Sequence, residues 1–502
     1  MSSDDLRIVR NTSLLIAALV VLRCLAAAWT PLTFDEAYYW MWSKHLAGGY
    51  YDHPPMVALV IRLGTMIAGD TEFGVRVVSI VLALPMSYAV YRSAAILFGG
   101  ARVAATAAIL LNVTLMAAVG TLIVTPDAPL LVASSFVLFA CAKVLQTGRG
   151  AWWLAVGLAV GAALLSKYTA LFFGPAILIW LVSSAAMRRW LASPWLYLGG
   201  VVALVVFAPV ILWNAEHHWV SLIKQLGRAR IEDFRPVYIA ELIPTQVAFA
   251  TPLIFILGAM GLYALMPRKT GASPSRALIN AMVWTIVAYF AWHSLHARVE
   301  ANWFAPVYPA FAIAAAVAAD QTRWDPRPQR LVDFCLRWAA PCGIAMFVLL
   351  VLQANTGVLS GYRRDATVRS VGVGWRELAR GIDAERVRVK ASCVLAPDYG
   401  TTGWLAFYLP PGTCVVQQSQ RIRWVNMPEP GAAELQGPLL FVDEARPWGI
   451  RPYLKDSFTR IERIAELPRK RGPLVIETYS LDLLDGAEGD VLDRSPPPEL
   501  TP

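Results

Sequence analysis

Charged residues are scarce in this chain. Asp, Glu, Lys and Arg make up 16% of its 502 positions, whereas hydrophobic residues make up 57%. Soluble globular proteins contain about 25% charged residues, so the missing charge indicates a chain embedded in lipid. The net charge of +9 does not indicate nucleic-acid binding, because the Arg and Lys residues lie between apolar runs rather than on one basic face.

Several common motifs are also missing. The six cysteines form no CxxC pair and show no zinc-type spacing. The glycine patterns of a P-loop or a Rossmann fold do not open any strand–helix unit, which disfavours an ATP-driven pump. The first apolar run follows a short mixed-charge head and lacks a small-residue cleavage pattern, so we expect it to remain as a span.

Long apolar runs recur through the first 357 residues and predict an α-helical polytopic membrane protein of about 11 transmembrane helices. The run 54–68 is expected to lie in the membrane interface instead, because it is short, opens with Pro54-Pro55 and contains Arg62. The predicted spans are 13–29, 74–98, 101–122, 128–146, 151–165, 169–187, 195–213, 244–266, 277–295, 303–319 and 338–356.

Basic residues lie on one side of these spans, and the positive-inside rule assigns that side to the cytoplasm. The N-terminus is then cytoplasmic, and everything after about residue 357 lies outside. All six histidines and most loop carboxylates fall on the outer side, which a purely structural scaffold would not require. The cytoplasmic basic residues are Arg102, Arg149, Arg188, Arg189, Arg268, Lys269, Arg276, Arg323, Arg327, Arg330 and Arg337.

The composition becomes that of a soluble domain after the last span. Short β-type runs at 392–396, 414–418, 438–443 and 474–479 alternate with helical patterns near 375–387 and 401–408. A transmembrane domain, 1–357, is therefore expected to precede a small periplasmic α/β domain, 358–483, and a disordered tail, 484–502. Cys393 and Cys414 fit either a disulfide or two buried thiols.

The first outer loop, about 30–73, contains the strongest candidate site. Asp35 and Glu36 are followed within six positions by four aromatic residues: Tyr38, Tyr39, Trp40 and Trp42. One interpretation is an interfacial aromatic belt with acidic flanks. The other is a general base at the membrane surface, whose basicity the aromatic walls raise by desolvation. The residue types favour the two interpretations about equally.

Three cations near the membrane suit a lipid phosphate, which cannot leave the membrane plane. Arg23 lies inside the first span, where an unpaired guanidinium is unfavourable, so it requires a partner or an anionic ligand. Lys167 and Arg298 lie at outer helix ends, where a single cation is more often a snorkelling side chain. The three cations together with His53 favour a phosphate site.

Two further groups have simpler explanations. Asp127 stands at the start of a helix, where capping is more common than catalysis. Glu216, His217 and His218 are weak candidates for binding a divalent metal ion, because adjacent histidines on a helix point apart.

Five motifs resemble those of one family: DEAYYW at 35–40, YYDHPP at 50–55, TPDAP at 125–129, SKYT at 166–169 and RVEANW at 298–303. Over residues 12–320 the chain is similar to bacterial glycosyltransferases of GT-C type. That superfamily includes the protein O-mannosyltransferases and the aminoarabinose transferases that modify lipid A. The resemblance implies a GT-C fold and an inverting transfer from a sugar carried on a polyprenyl phosphate.

The resemblance also implies residue roles. Asp35 would be the base that activates the acceptor, with Glu36 beside it and Asp52 in the second half of the site. The donor phosphate would be held by basic and polar residues: Lys167, Arg298, His53, Arg23 and Tyr308. Glu300 and Asn302, in the RVEANW motif, and Asp127 would be further site residues. His53 stands where the aminoarabinose transferases have a lysine.

The main alternative is a flippase or another transporter of lipid-linked sugars. Such proteins tend to have internal repeats and polar groups near the middle of the bilayer. Here Arg23 is the main deep charge and no repeat is evident, so an enzyme in the bacterial inner membrane is favoured. The expected partners are the polyprenyl-linked donor, membrane lipid and a periplasmic acceptor, which is lipid A, lipopolysaccharide core, another glycan or a protein.

Overall fold

The structure, a computed structural model, describes residues 2–228, 233–266, 273–358, 365–445, 454 and 457–495. Arg268 and Lys269, predicted to be cytoplasmic, lie outside these ranges. Contacts along the chain divide it into two compact units. The helical unit is Met1–Leu25, His53–Val60 and Arg76–Val348, and the mixed unit is Ala26–Asp52, Ile61–Val75 and Leu349–Pro502.

Twenty-one α-helices form most of the described chain. They are α1 Ser3–Trp29, α2 Phe34–Lys44, α3 Met56–Ala68, α4 Glu72–Val81, α5 Ala83–Phe98, α6 Ala101–Val113, α7 Leu115–Gly120, α8 Asp127–Thr147, α9 Trp152–Ser166, α10 Phe173–Ser183, α11 Pro194–Glu216, α12 Val220–Arg228, α13 Val237–Ala250, α14 Pro252–Leu265, α15 Pro274–His293, α16 Tyr308–Asp320, α17 Pro326–Thr356, α18 Ala366–Ser370, α19 Trp375–Arg388, α20 Tyr399–Tyr408 and α21 Ala432–Gln436. Short 3₁₀ helices occupy Tyr168–Phe172, Arg188–Ala192, Ala301–Val307 and Arg421–Trp424.

The protein is embedded in the membrane through its apolar helices. Within the described ranges, six helical stretches are long and apolar enough to cross a bilayer, and a bent helix pair raises the number to seven. Four further apolar helices are shorter, and α3, the helix predicted to lie in the interface, is one of them. The predicted total of about 11 spans stays a prediction.

Two predicted spans are interrupted. The run 101–122 divides at Thr114, whose extended backbone ends α6 and whose hydroxyl accepts a hydrogen bond from the Ala117 backbone N–H at the start of α7. The run 244–266 bends by 102° between α13 and α14. Thr251 has a φ of +66° at this bend and precedes Pro252, and a residue before proline is disfavoured in the helical conformation.

Small residues bring helices of the helical unit into close contact. A Cβ added at Gly157 of α9 would lie 2.0 Å from the Gly199 carbonyl oxygen of α11. A Cβ at Gly199 would lie 2.4 Å from the Trp153 carbonyl oxygen. Only hydrogen fits at these two positions, so the pattern of glycines fixes how α9 and α11 pack.

The mixed unit contains one five-stranded sheet. Its strands are β1 Cys393–Ala396, β2 Val415–Gln417, β3 Leu439–Glu444, β4 Phe458–Arg471 and β5 Leu474–Ala487. Their order is β2-β1-β3-β5-β4, with β2, β1 and β3 parallel and the last two strands antiparallel. Leu395, Leu439, Phe441 and Leu484 form part of the buried core on this sheet.

This arrangement confirms the α/β character of the C-terminal segment and corrects some details. Strand β4 was not predicted, because its exposed charged residues and Pro468 obscure the alternating strand pattern. The tail was predicted to start too early, since β5 runs to Ala487 and both Val491 and Leu492 are buried. Cys393 and Cys414 are joined by a disulfide.

Candidate active site

The start of α2 holds Glu36 in a capping role. Thr33 is the N-cap residue, and its hydroxyl accepts a hydrogen bond of 3.2 Å from the Glu36 backbone N–H. Glu36 Oε2 accepts in return from the Thr33 backbone N–H at 3.0 Å. The Glu36 side chain is fully buried and completes a capping box. Glu36 was predicted to act beside Asp35 in catalysis, but in the structure its side chain fixes the start of α2.

Asp35, one position earlier, is only partly buried. The Tyr399 hydroxyl of α20 donates a hydrogen bond of 3.1 Å to Asp35 Oδ1. Burial raises the pKa of Asp35 to about 6, and the nearby Asp52 and Glu36 add to the rise, while Tyr399 and Arg423 oppose it. A carboxyl group with this pKa is ionised at neutral pH and more basic than an ordinary aspartate, as a general base requires.

Asp52 lies in the same cluster, and its Oδ2 accepts two hydrogen bonds. The Tyr38 hydroxyl donates to Asp52 Oδ2 at 2.8 Å, and Arg423 Nη1 donates to the same oxygen at 2.5 Å. The guanidinium also lies over two aromatic rings, 4.8 Å from the centroid of Tyr399 and 5.3 Å from that of Tyr51. Asp52 is therefore neutralised by a neighbouring cation.

The aromatic residues after Asp35 form a packed wall rather than an exposed belt. Tyr38, Tyr39 and Trp42 are all buried, and Trp42 stacks on Tyr50 with ring centroids 4.1 Å apart. Burial raises the pKa of Tyr38 and of Tyr39 well above the ordinary value, with Asp52 adding to the rise for Tyr38 and Asp35 for Tyr39. Both phenols therefore stay protonated. The buried aromatic residues fit the interpretation in which aromatic walls surround a general base better than that of an interfacial belt.

In the helical unit, Lys167 and Asp127 form a buried ion pair. Lys167 Nζ lies 2.7 Å from Asp127 Oδ1, and both side chains are less than one-tenth exposed. The Asn302 amide donates to Asp127 Oδ2 at 2.6 Å. The prediction that Asp127 caps α8 is wrong, because the carboxylate pairs with Lys167 and Asn302, and α8 has no side-chain cap.

A cavity of about 200 Å³ adjoins this pair. It brings together His53 and Lys167, two predicted phosphate ligands that are 114 positions apart in the sequence. Two residues that the sequence analysis did not single out as ligands, Arg228 at the end of α12 and His293 at the end of α15, also line it. Four basic side chains around one cavity are suited to an anionic group.

The other predicted phosphate ligands are not among the residues that line this cavity. Arg23 is buried and donates to the Asn112 side-chain and backbone oxygens, at 3.3 Å and 2.6 Å, so its expected partner is a polar group of the protein. Arg298 is exposed and lies 3.6 Å from Glu241. Tyr308 donates to Gln246 Oε1 at 3.3 Å and lines a separate apolar cavity of about 420 Å³. Glu300 is exposed.

The weak metal candidates are not arranged as a metal site. Within the described residues no three His, Cys, Asp or Glu side chains are grouped to hold a metal ion. His217 Nδ1 lies 2.7 Å from the Trp213 carbonyl oxygen, and the His217 ring stacks on Trp213. Glu216 and His218 are exposed, and His218, with a φ of +54°, lies in the turn after α11 ends at Glu216.

Tyr399 and Arg423 are functional candidates that the sequence analysis missed. They lie 364 and 371 positions away from their partners Asp35 and Asp52, and the sequence gives no signal for pairing across that separation. A buried arginine in a soluble domain is most often part of an ordinary ion pair, so its identity alone does not indicate a role.

The fold is that of an integral membrane protein of GT-C type. The crystal structure of ArnT from Cupriavidus metallidurans bound to undecaprenyl phosphate is similar to this chain, with a TM-score of 0.65 and 17% identity. The match covers 94% of this chain and 97% of that one. The cryo-EM structure of the arabinofuranosyltransferase AftD from Mycobacteria matches with a TM-score of 0.51 and 12% identity, over 96% of this chain and 40% of that one.

The sequence comparisons agree. The family described as dolichyl-phosphate-mannose-protein mannosyltransferase matches residues 52–213. Two proteins of Rhizobium johnstonii are similar: the lipid A galacturonosyltransferase RgtD, 28% identical over 57% of this chain and 60% of its own length, and the lipopolysaccharide core galacturonosyltransferase RgtA, 29% identical over 41% and 42%. The chain thus matches about half the length of these relatives. These matches confirm the resemblance to GT-C type glycosyltransferases.

Proposed function

We propose that this protein is a membrane glycosyltransferase that moves a sugar from a polyprenyl phosphate to a glycolipid acceptor. The observation that carries the proposal is the state of Asp35. It is partly exposed, its pKa is raised to about 6, and Tyr399 holds it in place. Glu36 is engaged in capping and Asp52 is neutralised by Arg423, so Asp35 is the carboxylate best suited to accept a proton.

The reaction is a displacement at the anomeric carbon. Asp35 takes the proton of an acceptor hydroxyl, and the acceptor oxygen forms a bond to C1 of the sugar. The bond between C1 and the phosphate oxygen breaks, and the electron pair leaves with the polyprenyl phosphate. Because the acceptor attacks from the face opposite the leaving phosphate, the configuration at C1 is inverted.

The leaving phosphate requires positive charge. In the cavity of the helical unit, the Lys167 ammonium and the Arg228 guanidinium supply it, and His53 and His293 line the same space. Fixed cations stabilise the charge that develops on the departing oxygen. Lys167 is oriented by Asp127 and so presents a fixed charge rather than a mobile one. The apolar cavity with Tyr308 at its wall is suited to a stretch of the isoprenoid chain.

The relatives indicate which substrates to test first. RgtD and RgtA are named for galacturonosyl transfer to lipid A and to lipopolysaccharide core, and the ArnT crystal structure contains undecaprenyl phosphate. We therefore propose undecaprenyl-phosphate galacturonic acid as the donor and lipid A or its core oligosaccharide as the acceptor.

The proposed location is the bacterial inner membrane, with the mixed unit in the periplasm. The positive-inside rule supports this orientation. The disulfide between Cys393 and Cys414 supports it independently, because such bonds persist in oxidising compartments and are rare in the cytosol.

The test is transfer by the purified protein, with undecaprenyl-phosphate galacturonic acid and lipid A as substrates and mass spectrometry as the readout. Asp35→Asn should abolish transfer, because the amide keeps the shape but does not accept a proton. For the unaltered protein, kcat/KM should rise with pH through about 6 and level off above it, since the ionised carboxylate is the active form.

Asp70→Asn is the matched control. Asp70 lies in the same unit, pairs with Lys44 and is not part of the cluster around Asp35, so its variant should keep wild-type turnover. Substantial transfer by Asp35→Asn would contradict the assignment of the base. A lipid-linked-sugar flippase would transport the donor lipid and form no glycosylated product. This would hold for the unaltered protein and for both aspartate variants.

A further inference from the structure

The C-terminal segment supplies two of the side chains that surround Asp35. Tyr399 is the first residue of α20 and follows β1 by three positions, and Arg423 lies in the 3₁₀ helix after β2. The two strands are parallel neighbours. Because parallel strands end at the same edge of a sheet, the segments that follow them lie side by side, which is the geometry that places functional residues in many α/β domains.

Both side chains are held firmly at that edge. The Arg423 side chain is 14% exposed and that of Asp52 is 11% exposed, so the ion pair between them is largely shielded from water. Arg423 Nε also donates to Gln420 Oε1 at 2.6 Å. Trp424, the next residue, is buried and donates to Gln417 Oε1 at 2.8 Å. The ion pair with Asp52, the hydrogen bond to Gln420 and the buried neighbour Trp424 together hold the Arg423 guanidinium in one position.

The ionisable groups that face Asp35 come from four segments. Tyr399 lies on α20, Asp52 in the loop before α3, and Arg423 in the 3₁₀ helix, while Glu36 and Tyr39 lie on α2 itself. Burial and Asp35 both raise the pKa of Tyr399, so Tyr399 stays a neutral donor. Arg423 is thus the cation that offsets Asp52 and Glu36 in this cluster.

We propose that Tyr399 and Arg423 are positioning residues of the acceptor-activating site: Tyr399 orients the carboxylate of Asp35, and Arg423 neutralises Asp52 so that Asp35 alone serves as the base. This inference rests on the proposed function. Without Arg423, two carboxylates would repel each other in a partly buried site, and Asp35 would hold its proton to higher pH. The C-terminal segment is therefore part of the reaction centre and not only an appended domain.

The experiment is a pH–rate profile of the full-length protein with undecaprenyl-phosphate galacturonic acid and lipid A. Arg423→Met should move the acid limb of kcat/KM upward by about one pH unit. At pH 6 that shift lowers kcat/KM by about five-fold, whereas at pH 9 the change should be less than two-fold, because Asp35 is ionised in both proteins. Arg423→Lys should stay close to the unaltered profile, because the charge is kept.

The double variant Arg423→Met with Asp52→Asn separates electrostatics from packing. Removing the second carboxylate removes the repulsion, so the acid limb should return towards pH 6, a recovery that a merely structural role would not produce. Arg421→Met is the matched control. Arg421 lies in the same 3₁₀ helix but binds the Gln417 carbonyl and Glu429, so the limb should not move.

An unmoved acid limb in Arg423→Met, together with no recovery in the double variant, would overturn the inference. If Arg423→Met does not fold, Tyr399→Phe decides instead: the loss of its hydrogen bond to Asp35 should raise the limb in the same direction, and an unchanged limb counts against the inference. Asp35→Asn is measured in parallel. Its loss of transfer would support the proposed function independently of the pH–rate profiles of the Arg423 and Tyr399 variants.

Discussion

The three carboxylates Asp35, Glu36 and Asp52, all between α1 and α3, have different environments in the structure. Glu36 is bound to the backbone of its own helix start, Asp52 is bound to Arg423 and Tyr38, and Asp35 has one hydrogen bond from Tyr399. A raised carboxyl pKa indicates a functional site when it arises from burial and specific partners. The environment of Asp35, rather than its residue type, supports its role as the base.

The same burial predicts that Asp35 lowers the stability of the protein at neutral pH. An unfolded aspartate has a pKa of about 3.8, whereas that of Asp35 in the folded protein is about 6. The unfolded chain therefore loses its proton first, and stability falls as the pH rises from about 4 to about 6. Asp35→Asn should raise the free energy of unfolding by on the order of 1–3 kcal/mol at pH 7 and by nothing below about pH 4.

Thermal unfolding in detergent at the two pH values measures this effect. Asp70→Asn should act in the opposite direction, because hydrogen bonds from Lys44 and Trp40, despite some burial, lower the pKa of Asp70 and so make its charge stabilising at neutral pH. Equal melting temperatures for Asp35→Asn and the unaltered protein at pH 7 would contradict the raised pKa of Asp35.

The cavity lined by His53, Lys167 and Arg228, proposed to bind the donor phosphate, gives a second prediction at the residue scale. Arg228→Met removes an exposed cation that lines the cavity and should raise the donor KM by about ten-fold, the value of one charge-assisted contact to phosphate. Arg298→Met removes an equally exposed cation that pairs with Glu241 and should change the donor KM by less than two-fold. Donor titrations check both, and equal effects would place the phosphate elsewhere.

Lys167 is a poor probe for the same question. Its loss would leave Asp127 buried without a countercharge, and breaking a buried ion pair in this way costs about 3–5 kcal/mol of stability. A loss of activity in Lys167→Met would therefore report unfolding as readily as donor binding.

At the scale of whole helices, adjacent glycines of α11 have opposite requirements. A Cβ at Gly199 would lie 2.4 Å from the Trp153 carbonyl oxygen, whereas a Cβ at Gly200 meets no atom within 4 Å. Gly199→Ala should force α9 and α11 apart and lower the melting temperature. Gly200→Ala should be neutral or stabilising by up to about 1 kcal/mol, because alanine favours helix more than glycine does.

Thermal unfolding of the two single variants measures the difference. The pair differs by one position on one helix, so effects of composition and helix propensity cancel. Similar melting temperatures would mean that the helices do not approach each other as closely as the structure shows.

At the scale of the whole molecule, the C-terminal ends of the two apolar helices α1 and α17 meet. The Asn355 amide near the end of α17 donates to the Thr30 hydroxyl just after α1, at 2.9 Å. Two spans whose C-terminal ends meet run in the same direction, and an odd number of spans from the first to the second is then expected. An odd number agrees with the predicted total of about 11.

Reporter fusions test the orientation of this arrangement. Fusions after residues 45 and 480 should report the periplasm, and fusions after residues 149 and 328 should report the cytoplasm, because basic loops stay inside. A cytoplasmic signal after residue 480 would contradict the orientation and the periplasmic location of the site.

The sequence by itself determined the membrane class and the α/β character of the C-terminal segment, and it predicted a site in the first loop. Each of these follows from local pattern: apolar runs long enough for a bilayer, acidic residues beside aromatic ones, and short alternating strands. Asp35, His53 and Lys167 were found from such patterns and family motifs.

Only the tertiary structure decided which side chains meet. Glu36 caps α2, Arg23 binds Asn112, and Lys167 pairs with Asp127. Buried polar groups are nearly always hydrogen-bonded, and packing rather than proximity in the sequence determines the partner. Tyr399 and Arg423 reach Asp35 and Asp52 across more than 360 positions, since the parallel strands β1 and β2 end at one sheet edge. No local pattern encodes that meeting, so the state of the proposed base depended on the fold.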